Sequence, residues 1–127
     1  MPLVRITLRQ GSSPEHLRAV SAAVHQALVS TANVPADDLF HVIDEVPAAN
    51  LIADPTYVGM QRSDGVVFIE ITLNAGRTVE VKRALYAGIA ARLEPLGVRP
   101  DDVLVNLVEV TKENWSFGRG LATYAQE

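Results

Sequence analysis

Ile6-Thr-Leu-Arg-Gln-Gly-Ser-Ser-Pro-Glu15 and Ile71-Thr-Leu-Asn-Ala-Gly-Arg-Thr-Val-Glu80 share five residues in ten without a gap. The match continues downstream, where Val34-Pro-Ala-Asp-Asp38 lies beside Val98-Arg-Pro-Asp-Asp102, and Glu45-Val46 beside Glu109-Val110. Chance is a poor account of an alignment this long. The chain reads as a tandem duplication, so the fold of one copy decides the fold of both.

In the first copy, Leu3-Val-Arg-Ile-Thr-Leu8 is short, β-branched and bounded by Gly11, the signature of a strand. Ser13 then serves as an N-cap, with Pro14 at the first helical position and Glu15 favoured in the first turn. Leu17, Val20, Val24, Ala27, Leu28 and Thr31 fall on one face at helical spacing. Asn33-Val34-Pro35 is expected to end that helix, because the pyrrolidine ring cannot continue it. Leu39-Phe-His-Val-Ile43 follows as a second strand, completing a βαβ unit with parallel strands. The second copy repeats this with a Thr78-capped helix that aligns Val81, Leu85, Ile89 and Leu93. Its closing strand, 103–110, is apolar enough to expect burial on both faces.

The expected fold is α+β. Two tandem βαβ units are related by a pseudo-twofold, forming a four-stranded mixed sheet with both helices on one face. A single domain over 1–127 divides into repeat 1 at about 2–46, a linker at 47–65, repeat 2 at about 66–110 and a tail at 111–127. Asp54-Pro55, Gly59 and Ser63-Asp64-Gly65 mark turns within the linker. One sheet face is left bare, which argues for oligomerisation.

Composition narrows the function. The chain has 127 residues, 48% of them hydrophobic and 20% charged, which suits one soluble domain with a core of its own. No cysteine is present, which excludes disulfides, thiolate catalysis and cysteine metal sites. A formal charge of −4 argues against a nucleic-acid partner. No apolar run reaches membrane-spanning length and no secretory signal is visible, so a cytoplasmic location is expected.

Met1-Pro2 carries the sharpest chemical hint. Initiator methionine is normally removed ahead of a small residue, and proline qualifies. Removal leaves a secondary amine that titrates near pH 8, roughly, and is tunable by burial and nearby anions. Such a nitrogen serves as base, acid or iminium-forming nucleophile. Arg77, at the end of a strand and just ahead of a helix, stands where βαβ layouts gather ligands. Its fork suits a carboxylate, and a solvated surface arginine is the competing reading. Asp37-Asp38 reads either as a coupled carboxylate pair or as a turn cap, and its echo at Asp101-Asp102 favours a structural role for at least one member. Ser12-Ser13 suits capping better than anion binding. His16, His25 and His41 lack metal-ligand spacing; the first two are expected on the helix surface, and no metal is expected. Asn114-Trp-Ser-Phe-Gly-Arg-Gly120 forms a loop that packs somewhere specific.

Together, Met1-Pro2, Val34-Pro35 with Asp38, Arg62-Ser63-Asp64, Arg77 and above all Asn114-Trp115-Ser116-Phe117-Gly118-Arg119-Gly120 give a chain that resembles the tautomerase superfamily. Within it, the malonate semialdehyde decarboxylase-like group is the nearest in look. The resemblance implies a cofactor-independent enzyme, an isomerase or a carbon-carbon or carbon-oxygen lyase, assembled as a homotrimer. It implies Pro2 as the catalytic amine, Asp38 as the residue that assists it and activates water, and Arg77 as a clamp on the substrate carboxylate. It implies Trp115 and Phe117 as pocket walls. The family decarboxylase carries a second arginine where this chain has Ala75, preceded by Asn74. One lost charged clamp costs carboxylate binding about 1.5–3 kcal/mol. Tautomerisation of an enol or hydration of an unsaturated acid needs only one clamp, so both stand beside decarboxylation. The expected partner is a small carboxylate-bearing substrate, with neither nucleic acid nor membrane. The competing reading is a non-catalytic binding or scaffold protein with the same fold, which retention of Met1 would favour by leaving Pro2 an amide.

Overall fold

Two side-chain oxygens start the helices. Ser13 Oγ accepts the His16 N–H at 3.1 Å and Thr78 Oγ accepts the Val81 N–H at 3.2 Å. They open α1 (Pro14–Ala32) and α2 (Val79–Leu93). Removing such a cap costs about 1 kcal/mol. Each helix is entered through a glycine, Gly11 at φ +123° and Gly76 at φ +125°, a backbone that side-chain-bearing residues rarely adopt. The identity of the two copies at that point is therefore a backbone requirement. The computed structural model describes residues 1–125; Gln126 and Glu127, the end of the expected tail, lie outside the described residues.

α1 ends differently from the expectation. Asn33 turns left-handed at φ 57° and returns its N–H to Leu28 O, so the helix is closed two residues before Pro35.

The strands are β1 (Leu3–Arg9), β2 (His41–Val46), β3 (Val67–Asn74) and β4 (Val103–Val110). They lie in the order β2-β1-β3-β4, with β1/β2 and β3/β4 parallel and β1/β3 antiparallel. This is the four-stranded mixed sheet with two helices expected from the repeat. β2 starts later than expected and runs on to Val46, because β1 pairs with it as far as Arg9. Leu39 and Phe40 stay outside the ladder, although Phe40 O accepts the Val4 N–H at 3.0 Å.

Val4, Ile6 and Leu8 of β1 and Val67, Ile69, Ile71 and Leu73 of β3 point toward the helices and are buried with Val24 and Leu28 of α1 and Leu85 and Ile89 of α2. Each fully buried side chain of this size contributes about 1.5–3 kcal/mol. The opposite parity points away from the helices. Leu3, Val42, Leu104 and Val108 remain 46%, 42%, 40% and 39% exposed there. The expectation that β4 is buried on both faces is thus corrected: it is an edge strand, and the helices cover only one side of the sheet. Among the described residues no helix is long and apolar enough to cross a membrane.

Candidate active site

Asp38 closes the turn after α1, its N–H bonded to Pro35 O at 3.1 Å. Its carboxylate Oδ1 forms an ion pair with the amine of Met1. Pro2 follows as a buried residue at the head of β1. The antiparallel register, Leu3 opposite Thr72, brings this end of β1 beside the far end of β3.

Asn74 is the residue waiting there, only 7% exposed. Its Nδ2 donates to Met1 Sδ at 2.7 Å, and its Oδ1 accepts the indole N–H of Trp115 at 2.7 Å. The tail is thereby pinned against the start of the chain. Trp115 stacks on Phe117 with centroids 5.5 Å apart and planes 8° apart. Phe40 and Tyr124 pack against Phe117 at 5.7 and 5.3 Å, Tyr124 edge-on. Leu3, Phe40, Trp115, Ser116 and Phe117 line a hollow of about 220 Å³. That is below the roughly 300–1,000 Å³ of pockets for drug-sized ligands, and it suits a small molecule.

Two titrations are perturbed nearby. Burial, and then the Asp38 carboxylate, push the Tyr124 phenol above its usual pKa. Burial, and then the charge of His25, lower His41 to about 4.

Arg77 is half-buried at the turn between β3 and α2. Its Nε and Nη2 donate to Ala32 O at 3.2 and 3.0 Å, and its Nη1 donates to Asn74 O at 3.1 Å. It therefore ties the C-terminus of α1 to the strand that carries Asn74. With five N–H bonds in the fork, one remains on each terminal nitrogen.

Asp38, Trp115 and Phe117 are thus brought round the leading residues Met1 and Pro2, with Arg77 behind Asn74. Ala75 is exposed and gives its N–H to Val110 O at 2.8 Å, so Asn74 is the residue whose side chain enters the site. Arg62 spends its Nη1 on the carbonyls of Asp54 and Tyr57, in the linker. Arg119 lines a separate hollow of about 250 Å³ with Phe117 and Leu121. His25, expected on the helix surface, instead packs against His41 with ring centroids 6.0 Å apart. Sequence reasoning missed Asn74, Phe40 and Tyr124 as site residues. The sole available signal was Asn74 in place of a strand-end apolar residue.

Chemically, the site offers an amine whose charge a carboxylate can support, a wall of stacked aromatics, and an amide fixed between them.

A family model described as tautomerase enzyme matches residues 38–118, and a second of the same description matches residues 2–61. A probable tautomerase of Bacillus subtilis (strain 168), YusQ, is 42% identical over 123 residues, 96% of this chain and 97% of that protein. Among solved structures, the FG41 malonate semialdehyde decarboxylase inhibited by 3-bromopropiolate is 40% identical, with a TM-score of 0.91 over 96% of this chain and 93% of that one. A malonate semialdehyde decarboxylase described for its decarboxylase and hydratase activities is 32% identical, with a TM-score of 0.90 over 96% and 95%. A fused 4-OT that forms a symmetric trimer is 28% identical, with a TM-score of 0.79 over 98% and 99%.

Proposed function

This chain belongs to the tautomerase family, and on that footing we propose that it is an enzyme acting through the nitrogen of Pro2 on a small oxo acid or enol. Removal of Met1 frees that nitrogen one residue along the chain, at most about 3.6 Å from where the Met1 amine now stands. The observation that carries the reading is the ion pair of the leading amine with Asp38. Asp38 thus stands where it can pair with the amine that removal of Met1 exposes.

In tautomerisation, Pro2 takes the enol hydroxyl proton and returns it to carbon as the carbonyl forms. In decarboxylation, the amine condenses with the substrate carbonyl, losing water. The resulting iminium accepts the electron pair released as CO₂ leaves; a proton then adds to the enamine carbon, and water hydrolyses the iminium to free the product carbonyl and the amine. In hydration, Asp38 directs water at the unsaturated carbon. Arg77 holds the carboxylate through its two remaining N–H bonds, and Trp115 with Phe117 excludes solvent. The probable-tautomerase relative supports the first reaction, and the two decarboxylases support the others. A homotrimer belongs to the same proposal. It is supported by the trimeric fused 4-OT and by the apolar residues that the sheet leaves exposed.

The test is intact mass of untagged protein together with a panel of small acids assayed for enol–keto exchange, hydration and CO₂ release. Mass without methionine, and turnover abolished by Pro2→Ala, are expected. One observation favours the competing reading: the Met1 side chain is itself held, by Asn74. Mass that includes methionine, with no turnover, establishes a binding protein of the same fold instead.

A further inference from the structure

The turn that carries Asp38 is held from the side by α1. His25 Nε2 lies 2.7 Å from Ala36 O. A carbonyl can only accept, so the ring is bonded through its Nε2–H. One helical turn earlier, Ser21 Oγ meets His41 Nδ1 at 2.8 Å. One turn later, Leu28 O takes the N–H of Asn33 and, at 3.4 Å, that of Val34. Ser21, His25 and Leu28 lie four and three residues apart, on one helix face. They fasten the segment 33–41 at its start, middle and end, and Asp38 lies between the fastenings.

Histidine is a costly choice here. The Nδ1 of His25 and the Nε2 of His41 are both buried with no hydrogen-bond partner among the described residues. An unsatisfied buried polar atom costs free energy that an apolar side chain of similar size does not. Packing alone therefore does not account for His25, whereas its Nε2–H does. It supplies a donor to a carbonyl in an exposed turn that, among the described residues, has only the Asp38 N–H to Pro35 O bond of its own. The His41 ring meets the His25 ring at 78°, edge to face, and backs it in that orientation.

We propose that His25 is a positioning residue for Asp38: its bond to Ala36 O sets the turn and hence the place of the carboxylate beside the amine. The inference rests on the catalytic reading of Asp38 given above.

His25→Leu removes the donor and His25→Gln keeps an N–H that can reach the carbonyl. His25→Leu is expected to lower kcat/KM on the order of 10- to 100-fold, mostly through kcat, as misplacement of a reacting group does. His25→Gln should restore most of the loss. In an Asp38→Asn background His25→Leu should cost nothing further. Equal losses in both backgrounds, or a His25→Gln no better than His25→Leu, overturn the inference. Hydrogen exchange gives a second arm that needs no substrate. Deuterium uptake in the peptide spanning Asp38 should rise in His25→Leu and stay low in His25→Gln. Unchanged uptake in His25→Leu overturns the inference. A wild type inactive on every acid, with uptake behaving as expected, refutes the catalytic reading and leaves the role of His25 in the turn supported.

Discussion

Asp102 stands where the duplication repeats Asp38, and its carboxylate is closed off by Ser63, which donates its backbone N–H at 2.7 Å and its hydroxyl at 2.5 Å. The residue is 1% exposed and has Arg99 at 3.7 Å as its counter-charge. Ser63 belongs to the linker feeding β3, whereas Asp38 meets the amine of Met1. Two copies of one turn thus yield one carboxylate locked in structure and one turned to a titratable amine.

The two aspartates should therefore separate stability from activity. Asp102→Asn is expected to lose about 1.5–3 kcal/mol in urea denaturation, the range for hydrogen bonds to charged groups, with turnover near wild type. Asp38→Asn should do the reverse, losing turnover at little cost in stability. Matching losses in both variants on both measurements would contradict the division of labour.

Arg77 has one role in the structure and a second that we propose, and kinetics can tell them apart. Its fork spans the carbonyls of Ala32 and Asn74, a reach that a single ammonium does not reproduce. Arg77→Lys and Arg77→Leu should each lose about 1.5–3 kcal/mol of stability. Lysine retains the charge, so KM for a carboxylate substrate should rise further in Arg77→Leu than in Arg77→Lys. Equal KM values in the two variants would leave Arg77 a structural tie alone.

The fold was legible because local requirements recur. Ser13 and Thr78 cap, Gly11 and Gly76 turn, and the apolar faces of α1 and α2 keep one period. Each of those signals lies within a few residues of the feature it specifies. The site obeys no such local rule. Asn74 reaches Met1 and Trp115 only through the pairing of β1 with β3 and the return of the tail, separations of 73 and 41 residues. Tyr124 joins through Phe117, after another turn of irregular chain. Arg77 was legible as a residue type in a suggestive place, but one of its carbonyl partners, Ala32, belongs to the other copy. β4 misled because valine and leucine occupy both parities, while being an edge strand is a property of the sheet.

His41 gives the stability a pH dependence with a definite sign. Its folded pKa, about 4, lies below the ordinary 6.5 of a histidine. Below about pH 6.5 the unfolded chain binds a proton that the folded protein refuses, so stability falls as pH drops from 6.5 toward 4. His41→Asn lacks that term and also lacks the wild-type packing. Its Tm deficit at pH 7 should therefore shrink at pH 5, with carboxylate titrations common to both proteins cancelling in the difference. A deficit of the same size at both values would mean that His41 titrates normally in the folded state.

Tyr124 reports on the amine itself. Its phenol is pushed above 10 by burial and then by Asp38, whose field a neighbouring ammonium would cancel. An ultraviolet titration of the three tyrosines should show one high-pH component that Tyr124→Phe removes. Asp38→Asn should move that component down, because the second cause is gone while burial remains. Protein that instead holds a permanent positive charge at the amine, by exhaustive methylation of the leading nitrogen to the quaternary ammonium, should lower it as well. If the component ignores both changes, burial alone sets it, and the phenol does not sense the carboxylate–amine pair on which the proposed chemistry depends.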